Sequence, residues 1–114
     1  MSDYVDRKRI EELQTVLGAD TEQILASMLA SITKAIEQAE GAVAAGELDR
    51  ATGPAPGARN DALMLGAEQL QTALTELEAA TRDCDETRAA AALEHLHEVW
   101  PPTRDELAGA SRSP

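Results

Sequence analysis

Phenylalanine is absent from this chain of 114 residues, and tryptophan, tyrosine and cysteine occur once each. Without aromatic bulk the core has to be aliphatic, built from Leu, Ile, Val, Met and Ala. The lone Cys84 excludes an internal disulfide and gives no sign of an oxidising compartment. No apolar run approaches the roughly 20 residues that cross a bilayer. The start MSDYVDRKRIEEL has no apolar signal core, so a cytoplasmic protein with no membrane partner is expected. Positive charge is scarce: Lys and Arg total 10 against 21 Asp and Glu, for a net charge of −11. A polyanion would be repelled and no basic stripe is visible, which speaks against nucleic acid as a partner. Solubility is the simplest use of the negative charge. No histidine precedes His95.

What is abundant is Ala, Leu, Glu, Gln and Arg, a helix-forming composition with few β-branched residues, so the class is all-α. The length supports one core, with the domain expected over residues 1–109 and a flexible tail over 110–114. Asp3 or Ser2 can cap a first helix over residues 5–17, in which Ile10, Leu13 and Leu17 recur at three and four and Gly18 is a stop. Asp20, with Gln23 three residues on, matches a capping box for a second helix ended by Gly46. Ile24, Met28, Ile32, Ile36, Ala39 and Val43 form its apolar stripe, flanked by Leu25 and Leu29, with Lys34, Glu37 and Glu40 opposite.

Residues 47–51 read as a turn or a single helical turn. Gly53-Pro54-Ala55-Pro56-Gly57 cannot continue a helix, because each proline removes a donor and clashes with the turn before it. A third helix is expected from about Gly57 or Ala58 to Arg82, with Leu63, Ala67, Leu70, Leu74 and Leu77 as its stripe. Asp85 can cap a fourth helix in which Ala89, Leu93, Leu96, Trp100, Thr103 and Leu107 keep one face. The tandem Pro101-Pro102 should kink or split it. These elements and short loops describe an antiparallel up-down helix bundle, an architecture that hosts many functions.

Independent chemistry finds little support. His95 and His97, two apart on a helix, point about 200° apart and cannot share one metal. His95 borders the Leu93–Leu96 face, and His97 is expected at the surface. No nucleophile–base order, Gly-rich phosphate loop or Cys/His metal cluster is present, so neither a metal nor a cofactor is called for. Met28 and Met64 read as core or groove fillers.

Specific residues point further. Gly57-Ala-Arg-Asn-Asp-Ala-Leu-Met-Leu-Gly-Ala67, continuing EQLQTALTELEAATR, resembles the active-site region of histidine-phosphotransfer (HPt) domains. Their pattern runs H-x-[L/M]-[K/R]-G-x-[S/A]-x-x-[L/I]-G-A. The resemblance extends over nearly the whole chain: an opening RIEELQTVLG segment, a long amphipathic helix, a Gly-Glu-Leu turn, a Leu77-Glu78 pair and a closing ALEHLHEVWPPTRDELA helix. It implies an antiparallel four-helix bundle with a short leading helix. It places LGAEQLQTALTELEAATR in the lower half of the site helix.

HPt domains accept a phosphoryl group on histidine from a receiver-domain aspartate and pass it on, the partner bringing the metal and the polarising carboxylates. The resemblance therefore implies a receiver domain, of a response regulator or a hybrid histidine kinase, as partner in two-component signalling. Counting back from Leu65, Pro56 occupies the phosphoacceptor position and has no atom to phosphorylate. Arg59 matches the Lys/Arg position, Asn60 replaces the glycine, and Ala62, Leu65, Gly66 and Ala67 match the packing positions.

With no catalytic residue at the usual place, the implied role is a non-phosphorylatable docking or modulating module. Gly57, Ala58, Arg59, Asn60 and Leu63 are the candidate partner-docking residues. A helix start there would leave N–H groups at Gly57, Ala58 and Arg59 free for a phosphate or a partner carboxylate, or would be an ordinary capped helix end. Two alternatives stand beside it: a phosphocarrier using His95 or His97, or a histidine lost from the 54–57 loop, and a purely structural helical adaptor.

Overall fold

The chain, seen in a computed structural model, is described over residues 4–53 and 55–111. Helix α1 spans Arg7–Leu17, a 3-10 turn follows at Gly18–Asp20, and α2 spans Thr21–Ala44. The rest is α3 (Leu48–Thr52), α4 (Ala55–Met64), α5 (Glu68–Arg82) and α6 (Glu86–Ser111). No strand occurs among the described residues. Helix α6 runs through residue 111, past the expected start of the tail, and 112–114 lie outside the described residues.

Helix α1 is capped by Asp6, whose carboxylate accepts a hydrogen bond from the Lys8 N–H at 3.0 Å. The caps expected at Ser2 or Asp3 lie outside the described residues. Gly18 ends α1 with a positive φ of 57°. The Asp20–Gln23 capping box does not form. Asp20 is already in helical backbone at the end of the 3-10 turn, and no side chain caps α2. The Thr21 hydroxyl instead donates to the Gly18 carbonyl at 2.7 Å.

Three turns share one construction. At Gly46 (φ 73°), Gly66 (φ 69°) and Cys84 (φ 54°) the chain enters the left-handed region, and two hydrogen bonds close the preceding helix. Glu47, Ala67 and Asp85 donate back to the carbonyls of Ala42, Ala62 and Ala80 at 2.8, 2.9 and 2.9 Å. Gly46, Gly66 and Cys84 donate to Val43, Leu63 and Thr81 at 3.1, 3.2 and 3.1 Å. These are Schellman closures, which satisfy the last carbonyls of a helix and reverse the chain.

The closure at Gly66 corrects the expectation of one helix from residue 57 to 82. The chain turns at Leu65-Gly66-Ala67, so 68–82 is the next helix rather than the lower half of the site helix. The apolar stripe masks the break because its three–four spacing passes across it. Leu63 is consequently off the core face, whereas Ala67, Leu70, Leu74 and Leu77 are buried.

Helix α2, the pair α3–α4, α5 and α6 pack successively, and α6 returns against α2. The result is an antiparallel up-down four-helix bundle whose second wall is two short helices. Its core is aliphatic, as the missing phenylalanines require. Leu25, Ile32, Leu65, Leu70, Leu74, Leu77, Leu96 and Leu107 are fully buried, with many alanines between them. On α2 the buried line is Leu25, Ile32, Ala35, Ile36, Ala39 and Ala42, while Ile24, Met28 and Val43 sit at its edge. Ala89, Leu93, Leu96, Trp100, Thr103 and Leu107 are all buried on α6.

Pro101 and Pro102 do not split α6, which is one element across them. Each proline deprives the carbonyl four residues back of its donor. Those carbonyls belong to His97 and Glu98, both exposed, where water can replace the lost partner.

Candidate functional site

The segment of interest is α4. It begins at Ala55, not at Gly57 or Ala58, because proline is accepted in a first turn where the N–H groups have no partner in the helix. Pro56 is therefore inside the first helical turn and partly exposed. Position 56, which the resemblance aligns with the phosphoacceptor, is thus in helical backbone. This start also changes the donor count. The leftover N–H groups are reckoned from Ala55, Pro56 has none, and Arg59 is far enough along to join the ladder. The three free donors expected at 57, 58 and 59 are thus not all available.

Helical spacing divides α4 into two faces. Ala58, Ala62 and Leu65 are buried against the bundle. Gly57, Asn60, Leu63 and Met64 face outward, in line with Pro56. Ala58 is therefore removed from the outward candidates. Leu63 and Met64 are 53% and 51% exposed, which also corrects the assignment of Met64 as a filler. The outcome is a short exposed stripe, small and polar at the start of α4 and apolar at its end.

Arg59 does not point outward freely. Its Nε lies 3.0 Å from Oε2 of Glu78 on α5, with the Glu78 side chain mostly buried. Both atoms are shielded from water, yet the N–H is not aimed at the oxygen, so the contact is a charge pair without a well-formed hydrogen bond. It ties α4 to α5 and uses part of the cation that the resemblance assigns to a phosphoryl group. Asp61, half-buried on the same helix, has its carboxyl raised above the usual range by desolvation.

The two histidines are on α6, on opposite sides. His95 Nδ1 lies 3.2 Å from Glu76 of α5, and His97 Nε2 lies 3.0 Å from Glu40 of α2. Each ring faces a carboxylate, which would repel a phosphoryl group on that ring. They do not converge with each other or with α4. Among the described residues no group of three or more His, Cys, Asp and Glu is placed to hold a metal ion, and no helix is long and apolar enough to cross a membrane.

The exposed end of α4 could not be read from the apolar pattern, because Leu63 and Met64 fit a helix running on to residue 82. The signal that marks it is Gly66. A glycine in mid-helix costs about 1 kcal/mol relative to alanine, so its presence there points to a helix end.

No family model and no curated protein matches the chain. Among solved structures it is similar to the crystal structure of histidine-containing phosphotransfer protein B (HptB) from Pseudomonas aeruginosa PAO1. The TM-score is 0.90 at 19% sequence identity, over 98% of this chain and 97% of that one. This chain therefore has the helical-bundle fold of an HPt structure, with Pro56 in the first turn of α4.

Proposed function

We propose that the chain is an HPt-like module of phosphorelay signalling that docks receiver domains without carrying phosphate at the usual position. The observation that carries the reading is α4 itself: a helix with an outward stripe from Pro56 through Asn60 to Leu63 and Met64, and no imidazole on it. The likeness in fold to a phosphotransfer protein supports the same role. Gly57, Arg59, Asn60 and Leu63 serve partner contact, with Arg59 held by Glu78 as a positioned cation.

Binding needs no catalytic group on this chain. A receiver supplies its own carboxylates and metal, so the module contributes shape, apolar contact and the absence of an acceptor. Such a module would tether a receiver or compete with a true phosphocarrier. Histidine chemistry on α6 is the less favoured reading, because Glu76 and Glu40 occupy the places where a cation would assist.

Calorimetric titration with isolated receiver domains from the organism that encodes the chain tests this. Micromolar binding is expected, weakened about tenfold or more by Leu63→Asp with Met64→Asp, since burying an unpaired carboxylate in an apolar contact costs more than 1.4 kcal/mol. Absence of binding to every receiver contradicts the reading and leaves a structural adaptor.

A further inference from the structure

The start of α1 contradicts a local rule. Arg7, Lys8 and Arg9 occupy its first three positions, and no acidic residue lies in that first turn. A helix N-terminus carries partial positive charge, so each cation there is unfavourable. One anion, the Asp6 cap, offsets part of this. Departures of this kind, in a chain otherwise consistent with its fold, concentrate at functional places.

The position of this turn gives the charges a use. The Asp6 N–H donates to the Gly66 carbonyl at 2.9 Å. A Cβ at Gly66 would stand 3.0 Å from Arg9 Cβ and 3.3 Å from its Cγ. The first turn of α1 therefore lies against the corner that ends α4, one helical turn from Leu63 and Met64. We infer that the first turn of α1 and the exposed end of α4 form one docking surface for a protein partner whose face carries carboxylates around an apolar patch. Arg7, Lys8 and Arg9 supply the charge, and Leu63 and Met64 supply the apolar contact.

Charge placement identifies the partner's chemistry. The chain carries −11 overall, so an acidic partner is repelled by most of its surface. At the opposite end of the bundle an open groove is lined by Asp49, Asp83, Asp85 and Glu86, and the cations Arg50 and Arg88 are paired with Glu47 and Asp83. By contrast, Arg7 and Lys8 have no carboxylate within ion-pair distance among the described residues, and Arg9 reaches only Glu12, at 4.0 Å. An acidic-rimmed face would meet three adjacent cations here, whereas the other exposed cations without an ion pair among the described residues, Lys34 and Arg82, stand singly in the sequence. This inference rests on the docking role proposed above, and names the second element and the charge type that role employs.

The test measures association of the full chain with isolated receiver domains from its organism, for the intact protein and two neutralised variants. One carries Arg7→Gln, Lys8→Gln and Arg9→Gln. The other carries Lys34→Gln, Arg82→Gln and Arg104→Gln, with the same change in net charge. Circular dichroism verifies that both keep their helix content; glutamine retains the Arg9 stem that packs on Gly66.

The first variant is expected to associate about tenfold more slowly at low ionic strength, with the difference vanishing near 1 M salt, and the second to stay within about twofold of the intact chain. Equal rates for the intact chain and the first variant overturn this inference and leave the docking role standing. Equal losses in both variants overturn it in favour of net charge. If the intact chain binds no receiver, the docking role and this inference fall together. Self-association of the intact chain that the first variant abolishes assigns the surface to a second copy and overturns the inference too.

Discussion

Gly66 has two independent reasons to be glycine. Its φ of 69° costs an L-residue about 1–2 kcal/mol, and a Cβ would stand 2.9 Å from Asp6 Cβ and 3.0 Å from Arg9 Cβ. Neither neighbour can swing away, since both atoms are at the root of their side chains. Gly66→Ala is therefore expected to lower unfolding free energy by about 2 kcal/mol or more, read as a lower urea midpoint. Cys84 is in the same backbone region, is exposed and carries a Cβ. Cys84→Gly is expected to raise stability by about 1 kcal/mol in the same measurement, because the closure of α5 demands the same positive φ. Asp61 offers a third test. Burial raises its folded-state pKa, so its contribution to stability is fullest below the unfolded value near 3.9 and is lost as pH rises through the folded value. At neutral pH the ionised carboxylate counts against the fold. Asp61→Asn should raise Tm at pH 7, and the gain should fade as pH falls below about 4; a gain that grows on acidification would refute desolvation as the cause.

Among the elements, α6 is the least conventional, with two prolines inside it. It persists because the two deprived carbonyls belong to exposed residues, while Trp100 and Thr103 anchor the same stretch in the core. Thr103 also donates its hydroxyl to the Val99 carbonyl, which satisfies a fully buried polar group. Pro101→Ala returns a donor to the His97 carbonyl and is expected to add about 2 kcal/mol of stability without changing the fold, checked by thermal unfolding and circular dichroism. The face of α6 was legible in the sequence from Ala89 to Leu107, since its core positions step regularly through the prolines. Turns at Gly46 and at residues 83–85 were legible as well. The corner at Gly66 was not, because Leu63 and Ala67 happen to keep helical spacing across a chain reversal. Nor was the Asp20 cap, where a preceding 3-10 turn already provides helical backbone. Local patterns reveal which residues can be buried, but a glycine closure resets the direction without disturbing the pattern.

At the scale of the molecule, a bundle measuring 44 × 25 × 17 Å carries a carboxylate-lined groove at one end and a run of three cations at the other. Carboxylates gather around the turns at residues 45–47 and 83–85. Unpaired cations and exposed apolar side chains gather where α1 meets the end of α4. The candidate site was legible in part. Counting from Leu65 located Pro56, and Gly57, Asn60 and Leu63 are exposed on the outward face of α4. Ala58 could not be excluded without knowing which face of α4 packs, and the Arg59–Glu78 pair needed the reversal at Gly66 to bring α5 alongside α4. The central claim is that this bundle engages a receiver and offers it no acceptor. The most direct test mixes the chain with a receiver domain carrying a radiolabelled aspartyl phosphate, then follows both complex formation and the label. The account predicts a complex in which all label stays on the receiver or is released as phosphate; acid-labile, base-stable phosphohistidine on this chain would contradict it.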